Sequence, residues 1–162
     1  MIVVSDTTSL NYFVHIGQEH VLSLLFGRVV VPPAVVAELK RPRAPLRVRE
    51  WAGKLPDWLE IQTPTSIVAY QGLGPGETEA IALALELHAN IILIDERDGV
   101  AEAKRLGLNV TGTLGVIVMA AEARLLSLPE AIAALRQTTF RGPDELIEEL
   151  LRQDEKHGLN DV

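Results

Sequence analysis

The chain has 162 residues, 48% of them hydrophobic and 23% charged, with no cysteine and a formal net charge of −7 at pH 7. This length suits one domain, residues 1–162, and the absence of cysteine excludes disulfides, thiolate zinc sites and cysteine nucleophiles. No stretch approaches the roughly twenty apolar residues of a membrane span, and no basic signal region opens the chain. We therefore expect no membrane association and a cytoplasmic protein.

The first predicted strand, at residues 2–5, is an aliphatic run that ends at Asp6. An aspartate followed by two threonines is typical of a helix N-terminus, and this helix is predicted to end near Gly17. A second helix is predicted at about 18–25. The pattern therefore places Asp6 between a strand and the helix that follows it.

The second predicted strand, at 28–31, precedes two prolines, which favour the first turn of the helix that carries Glu38. Residues 41–56 contain further prolines around a short helix and are predicted to form an exposed excursion from the core. A weaker strand signal follows at 58–62. A loop is then expected as far as Gly76.

An alanine- and leucine-rich helix is predicted at about 77–88, and the strand that follows it, 90–94, ends at Asp95. The remaining elements are a helix at 98–106, a strand at 108–110, and helices at 114–124, 128–137 and 143–156. The last helix belongs to an acidic C-terminal segment at about 143–162. Alternation of this kind predicts an α/β fold, in which a parallel sheet with right-handed crossovers has helices on both faces.

Four segments of the chain each deliver a carboxylate, at Asp6, Glu38, Glu77 and Asp95. Asp6 and Asp95 follow aliphatic runs, and in an open parallel sheet the chemistry collects beyond the carboxyl ends of such strands. Carboxylates brought together repel one another and resist desolvation, so a shared site needs protons or a cation. Oxygen ligands suit Mg²⁺, which binds a few carboxylates plus a substrate phosphate. The pattern therefore predicts a divalent metal site.

Each acid also has an ordinary interpretation when it is considered alone. Asp6 would cap a helix, Glu38 would be a solvated helix residue, and Glu77 would interact favourably with a helix N-terminus. The recurrence of all four favours the shared site.

Positive charge is concentrated in one part of the sequence, residues 40–54, which we call the basic band. It carries six Lys and Arg residues against Glu50 alone, whereas the C-terminal segment from Asp144 onwards is strongly acidic. A net negative charge opposes the usual basic character of a nucleic-acid-binding domain, but a local band can still contact phosphates. A solvated surface without a partner explains the same band equally well.

Five segments resemble the PIN (PilT N-terminal) nucleases, a family that includes VapC-like toxins of prokaryotic toxin-antitoxin pairs. In chain order they read VVSDTTSL, VPPAVVAEL, LGPGETEAIALALEL, IILIDERDG and LGLNVTGTLGVIV. The resemblance implies a PIN-like three-layer α/β/α sandwich with a central, mostly parallel sheet. It also implies Mg²⁺ or Mn²⁺ as cofactor and the hydrolysis of RNA phosphodiester bonds.

The resemblance assigns metal ligation and catalysis to four positions, with two further acids near the fourth. The four are Asp6, Glu38, Glu77 and Asp95, and the two further acids are Glu96 and Asp98. Family members usually carry aspartate at the third position, so the glutamate here adds a methylene and is expected to change metal distance or preference. Hydroxyl groups that match the family or follow the last strand are candidates for positioning water or substrate: Thr7, Ser9, Thr111 and Thr113.

The resulting expectation is an Mg²⁺- or Mn²⁺-dependent endoribonuclease with RNA as substrate, and with Arg41, Arg43 and Arg47 of the basic band contacting RNA. A toxin role, with an antitoxin protein as partner, follows from the same resemblance. The apolar helix near 114–126 and the resemblance predict a homodimer, although core packing explains that helix equally well. The alternative is a catalytically silent PIN-like fold that acts as a protein- or RNA-binding module.

Overall fold

The computed structural model of the chain describes residues 1–68 and 72–160, and it divides into two compact units, Met1–Thr113 and Leu114–Val162. Residues 69–71, which fall in the predicted loop before Gly76, lie outside the described residues, as do 161 and 162 at the end of the predicted acidic segment. Within the described ranges, no helix combines the length and the apolar character needed to cross a membrane.

The first unit contains a five-stranded sheet with the order β3-β2-β1-β4-β5. All four strand pairs are parallel, so the sheet predicted as mostly parallel is entirely so. The strands are β1 Val3–Ser5, β2 Val29–Val31, β3 Leu59–Ile61, β4 Ile91–Leu93 and β5 Val110–Thr111. Every predicted strand is therefore present, and β1 lies at the centre of the sheet.

Nine helices occur in the described part of the chain, as the sequence predicted. In the first unit they are α1 Thr7–His15, α2 His20–Phe26, α3 Pro33–Leu39, α4 Leu46–Ala52, α5 Pro75–Glu86 and α6 Arg97–Arg105. The helix α7 Thr113–Glu122 begins at the last residue of that unit, and α8 Leu128–Arg136 and α9 Asp144–Asn160 belong to the second. The short α4 occupies the excursion predicted at 41–56.

The core of the first unit forms because the strands are aliphatic and α5 is rich in small residues. Val4 and Ile92 on adjacent strands are buried together with Ala80, Ile81 and Ala84 of α5. Alanine at two of these positions lets the helix approach the sheet closely, while the branched side chains fill the space between them. This packing holds the start of α5 beside the carboxyl ends of the central strands.

Several predicted boundaries differ from the observed ones, and the C-terminal helix, predicted to end at 156, continues to Asn160. Two of the differences have a clear local reason. The last strand begins at Val110 instead of 108, because Gly107 adopts a φ of +83° and the Leu108 amide donates to the Ala103 carbonyl at 3.0 Å, which closes the end of α6. The helix expected from 77 begins at Pro75, since proline suits the first helical position and Gly74 precedes it in an extended conformation.

The second unit is helical. Its core includes Val116, Ile117, Leu128, Ile132 and Leu135. The Ser127 hydroxyl caps α8 by accepting from the Glu130 amide at 3.4 Å. The acidic segment predicted at the C-terminus is the helix α9, Asp144–Asn160.

Candidate active site

The candidate site lies at the carboxyl ends of the adjacent parallel strands β1 and β4. Ser5 pairs with Leu93, and the Asp6 amide donates to the Leu93 carbonyl at 2.9 Å. Asp6 therefore follows its strand directly, and Asp95 follows β4 after one intervening residue. The chain leaves β1 towards β2 on one side, while β4 flanks β1 on the other. Such a switch point leaves a crevice in which open α/β sheets bind their ligands.

Asp6 is a fully buried carboxylate that is only half satisfied by the protein. It precedes α1 as the N-cap, and its Oδ1 accepts from the Ser9 amide at 3.1 Å. Its Oδ2 is buried and has no hydrogen-bond partner within the described residues. Burial raises the pKa of Asp6 well above its usual range, the Ser9 amide opposes that rise, and Asp95, Glu77 and Glu96 add to it by repulsion. Asp6 thus combines the capping role with a second, unused oxygen.

Asp95 is held by three donors from two other parts of the chain. The Thr113 amide donates to Oδ1 at 2.8 Å, and the Thr113 hydroxyl donates to Oδ2. The Ser9 hydroxyl also donates to Oδ2, at 3.3 Å. Thr113 and Ser9 are both fully buried. Hydrogen bonds from three donors fix the direction of the Asp95 carboxylate.

Glu38 connects three helices through its carboxylate. The Thr7 hydroxyl of α1 donates to Oε2, and the Gly76 amide in the first turn of α5 donates to Oε1 at 3.0 Å. The backbone of α5 can come this close only because residue 76 has no side chain, since a Cβ there would lie 2.7 Å from the Thr7 Oγ1 and 2.9 Å from the Glu38 Cδ. Glu38 is therefore held in a fixed orientation against Thr7, the residue that follows Asp6 in the chain.

Glu77 forms a carboxyl pair with Glu96, the N-cap residue of α6. Burial raises the pKa of Glu77 to about 7, helped by repulsion from Glu96, by a hydrogen bond between the two groups and by Glu38, while a backbone contact with Gly74 opposes the rise. A hydrogen bond between two carboxyl groups requires a proton on one of them. The Glu77 Oε2 is buried and, within the described ranges, has no partner.

Comparison with known proteins identifies the fold. A sequence model of the PIN domain matches residues 2–156 of the chain. The chain belongs to the PIN-domain family. Among curated proteins, none is significantly similar to it in sequence.

Two solved structures resemble this PIN domain. One is a PilT N-terminus domain protein of the hyperthermophilic archaeon Sulfolobus solfataricus P2, with 14% identity and a TM-score of 0.51 over 88% of this chain and 100% of that one. The other is the PIN domain endonuclease Utp24, with 14% identity and a TM-score of 0.50 over 68% of this chain and 84% of that one. Together with the parallel sheet, they confirm the predicted resemblance and the α/β/α fold class.

The PIN fold brings together most of the acids that the sequence singled out. Asp6, Glu77, Asp95 and Glu96 interact electrostatically, and Glu38 joins them through Glu77. In contrast, Asp98 is exposed in the first turn of α6 and contributes to neither of the raised pKa values. Of the three acids considered for the fourth position, Asp95 and Glu96 therefore interact electrostatically with Asp6 and Asp98 does not contribute to the raised pKa of Asp6.

The hydroxyl candidates of the PIN domain separate in the same way. Thr7, Ser9 and Thr113 each donate to a site carboxylate. Thr111, at the end of β5, is half-buried, and within the described residues its side chain makes no hydrogen bond to Asp95. Arg41, Arg43 and Arg47 are exposed, and Arg41 and Arg43 lie in the loop that leaves α3.

Three glycines shape the site although the sequence reasoning did not select them. Besides Gly76, Gly99 lies against the Glu77 carboxylate, and a Cβ there would be 2.6 Å from the Ile94 Cδ1. A Cβ at Gly112 would be 2.7 Å from the Asp95 Oδ1. The available signal was the occurrence of glycine inside or directly before predicted helices, which costs about 1 kcal/mol relative to alanine unless close approach requires it.

The donor set fits a divalent cation, although it is not closed around one. In residues 1–68 and 72–160, no three Asp, Glu or His side chains form a group with metal-binding spacing. Nevertheless, the buried Asp6 Oδ2 and Glu77 Oε2 accept no hydrogen bond from any residue that the structure describes, and burial raises the pKa of both carboxyls. A cation would satisfy these oxygens and relieve the repulsion between the acids.

Proposed function

We propose that this PIN domain is an Mg²⁺- or Mn²⁺-dependent endoribonuclease that hydrolyses RNA phosphodiester bonds. The observation that carries the proposal is the fully buried Asp6, whose Oδ2 has no partner among the described residues, beside Asp95 at the carboxyl ends of two adjacent strands. Membership of the PIN-domain family supports it, as does the description of Utp24 as an endonuclease.

Asp6 and Asp95 are the residues that would hold the ion, and Glu77 and Glu96 are close enough to Asp6 to interact with it electrostatically. Such an ion, when bound, supplies Lewis acidity that activates water and neutralises charge on a phosphoryl group. Glu38 accepts from the Thr7 hydroxyl and the Gly76 amide, and its role in the proposal is to hold Thr7 and the start of α5 in position.

The surrounding residues orient the acids and provide a place for a proton. The hydroxyls of Ser9 and Thr113 orient the Asp95 carboxylate by hydrogen bonding. This proposed metal ligand is therefore already ordered before the substrate binds. Glu77, whose pKa is raised to about 7 in the metal-free protein, can accept or release a proton near neutral pH. The Glu77 and Glu96 pair is therefore the proposed proton reservoir of the site.

The test is cleavage of an end-labelled single-stranded RNA by purified protein with Mg²⁺, with Mn²⁺ and with excess chelator. We expect metal-dependent cleavage by the parent and a loss of at least about 100-fold in Asp6→Asn, because removal of a charged ligand weakens the metal site. The Asp98→Asn variant is the control, since Asp98 is exposed and contributes to neither raised pKa. Equal cleavage by Asp6→Asn and the parent would reject the proposed role of Asp6.

A specific observation favours a second candidate, the catalytically silent PIN-like module. Both oxygens of Asp95 and both oxygens of Glu38 already accept hydrogen bonds from the protein, as a purely structural carboxylate would. Calorimetric titration with Mn²⁺ separates the two candidates. Binding that disappears in Asp6→Asn supports the nuclease, and no binding by the parent at millimolar Mn²⁺ supports the silent module.

The finer proposal is that the nuclease acts as a toxin with an antitoxin partner, which rests on the resemblance of the sequence motifs to VapC-like proteins. Induced expression of the parent in a bacterial host should then arrest growth, while Asp6→Asn expressed to the same level should not. Normal growth with the active parent would reject the toxin role without affecting the proposed chemistry.

A further inference from the structure

We propose that residues 40–45, the loop between α3 and α4, form a rigid clamp for the phosphates of a single-stranded RNA beside the candidate site. We call this segment the clamp loop, and its phosphate ligands are Lys40, Arg41 and Arg43. The inference rests on the proposed function, because it supplies a positively charged binding surface for RNA on an acidic nuclease.

The first support is the segregation of charge. The basic band, residues 40–54, holds six of the fifteen Lys and Arg residues but only one of the 22 Asp and Glu residues, in a chain of net charge −7. A uniformly acidic protein repels RNA at a distance, so binding must depend on a local region of the opposite sign. The band is the region that meets this requirement.

The second support is that the cations of the clamp loop form no ion pair with any described residue. Elsewhere Arg28 pairs with Glu60, Arg105 with Glu102 and Arg152 with Glu149. Within the described ranges, no Lys or Arg of the basic band forms an ion pair. Lys40, Arg41 and Arg43 are exposed. They remain available to phosphate without the cost of breaking an existing pair.

The third support is rigidity. The Arg41 amide donates to the Glu38 carbonyl at 3.2 Å, and the Ala44 amide donates to the Arg41 carbonyl at 3.0 Å, so the loop follows directly from α3 as a series of turns. The Arg49 Nε of α4 donates to the Ala44 carbonyl at 3.0 Å and braces the far end. A loop that is already ordered loses little conformational entropy when it binds a ligand.

The fourth support is position. Glu38 accepts from the hydroxyl of Thr7, which directly follows Asp6, and Arg41 follows Glu38 by three residues. Three residues span at most about 11 Å even when fully extended, and the hydrogen bond to the Glu38 carbonyl makes the real separation shorter. At about 3.4 Å per nucleotide of a stacked strand, Arg41 lies within about three nucleotides of Glu38, which interacts electrostatically with Glu77 of the site.

The structure also separates the arginines that the sequence grouped together. A Cβ built on Gly17 would lie 2.7 Å from the Arg47 Nη2, which shows that the Arg47 guanidinium rests against the backbone at residue 17. Arg47 and Arg49 therefore hold α4 and the loop in place, and Arg41 and Arg43 are left as ligands. Substitution of Arg41 and Arg43 should therefore affect RNA binding more than it affects stability.

The experiment measures the affinity of a fluorescent single-stranded RNA by anisotropy, in chelator and in an Asp6→Asn background, so that cleavage does not interfere. Each phosphate contact with a single strand contributes about 0.7 to the slope of log K against log salt. Arg41→Gln/Arg43→Gln should therefore lower the slope by about 1.4. Equivalently, a rise from 50 to 200 mM salt should weaken the background protein about sevenfold more than the double variant.

The matched control is Arg28→Gln/Lys104→Gln, which also removes two positive charges. Arg28 directly precedes β2, and Lys104 lies in the last turn of α6. Both are therefore near the amino ends of the strands, whereas the site is at the carboxyl ends. The control should keep the slope of the background protein. Arg41→Lys/Arg43→Lys retains the charges and should keep most of the slope, which shows that the loss in the glutamine variant is not a folding defect.

An unchanged slope in Arg41→Gln/Arg43→Gln overturns the clamp loop, as does an equal fall in the control, or no RNA binding by the background protein at 50 mM salt. These outcomes are separate from failure of the nuclease. Cleavage by the parent with an unchanged slope rejects the clamp loop alone, and a reduced slope without any cleavage by the parent rejects the nuclease alone.

Discussion

Replacement of Gly76 by alanine tests whether the position of Glu38 matters for the site. The added Cβ would lie 2.9 Å from the Glu38 Cδ and 2.7 Å from the Thr7 Oγ1. Carbon atoms in ordinary contact are about 3.5–4.0 Å apart, so the Glu38 carboxyl must move by about 0.6–1 Å. The movement also weakens the 3.0 Å hydrogen bond from the Gly76 amide.

The expected effect on activity is larger than the effect on stability. The colliding group is the tip of a flexible side chain, and alanine is favoured over glycine inside a helix by about 1 kcal/mol, which offsets part of an overpacking cost of about 1–3 kcal/mol. The net loss is therefore about 0–2 kcal/mol, which lowers Tm by at most roughly 8 °C for a chain of this size. In contrast, a misplacement of about 1 Å at a reacting centre can reduce the rate about 100-fold.

The assay compares kcat for RNA cleavage and Tm for the parent, Gly76→Ala and Gly74→Ala. Gly74 lies two residues earlier, has a φ of −75°, and a Cβ there would meet nothing within 4 Å. We expect Gly74→Ala to change kcat less than about threefold, because it adds the same methyl group without moving Glu38. Folded Gly76→Ala protein with the parent's kcat would refute the reasoning that Glu38 must be held in place.

Three further predictions follow from the buried acids. Thr113→Val should lower kcat about tenfold and the free energy of unfolding by about 1–2 kcal/mol, because Asp95 loses a hydrogen-bond donor. Thr111→Val is the control and should change neither quantity. Equal effects of the two substitutions on kcat would reject the positioning role of Thr113. Burial raises the pKa of Asp6 above its usual range, so the charged form destabilises the metal-free fold at neutral pH. Asp6→Asn should therefore raise Tm in chelator at pH 7.5. The Tm difference between this variant and the parent should vanish as the pH falls below the ordinary carboxyl range. The pKa of Glu77 is raised from about 4.5 to about 7, so in chelator the parent should lose stability as the pH rises from about 4.5 to about 7. Glu77→Gln should not lose this stability, and its Tm advantage over the parent should grow across the same window. A Tm difference that stays constant would contradict the raised pKa.

The arrangement of elements could be predicted from the sequence because its signals are local. Aliphatic runs that end at Asp6 and Asp95 indicate buried strands, and the two prolines at 32 and 33 indicate where α3 begins. The order β3-β2-β1-β4-β5 is a tertiary property, because it depends on which strands bury their faces together. That order makes Asp6 and Asp95 neighbours although they are far apart in the chain.

The finer composition of the site could not be read from the sequence. Thr111 and Thr113 are the same residue type two positions apart, so the sequence does not distinguish them. In the structure, the turn into α7 directs the amide and the hydroxyl of Thr113 towards Asp95. Glu96 and Asp98 are both close to Asp95, yet Glu96 precedes α6 and reaches Glu77, whereas Asp98 enters the helix on its exposed side. Such differences depend on backbone geometry of one or two residues, which pattern reasoning does not resolve.

The proposed nuclease activity depends most directly on a divalent cation bound by Asp6 and Asp95. The most direct measurement is an anomalous difference map from crystals of the parent soaked in Mn²⁺, with crystals of Asp6→Asn treated in the same way. We predict a peak in contact with the Asp6 Oδ2, the buried oxygen that has no partner within the described residues, and with the Asp95 carboxylate, and no peak there in the variant. A parent map with no peak at the carboxyl ends of β1 and β4, or an equal peak in Asp6→Asn, would contradict the claim.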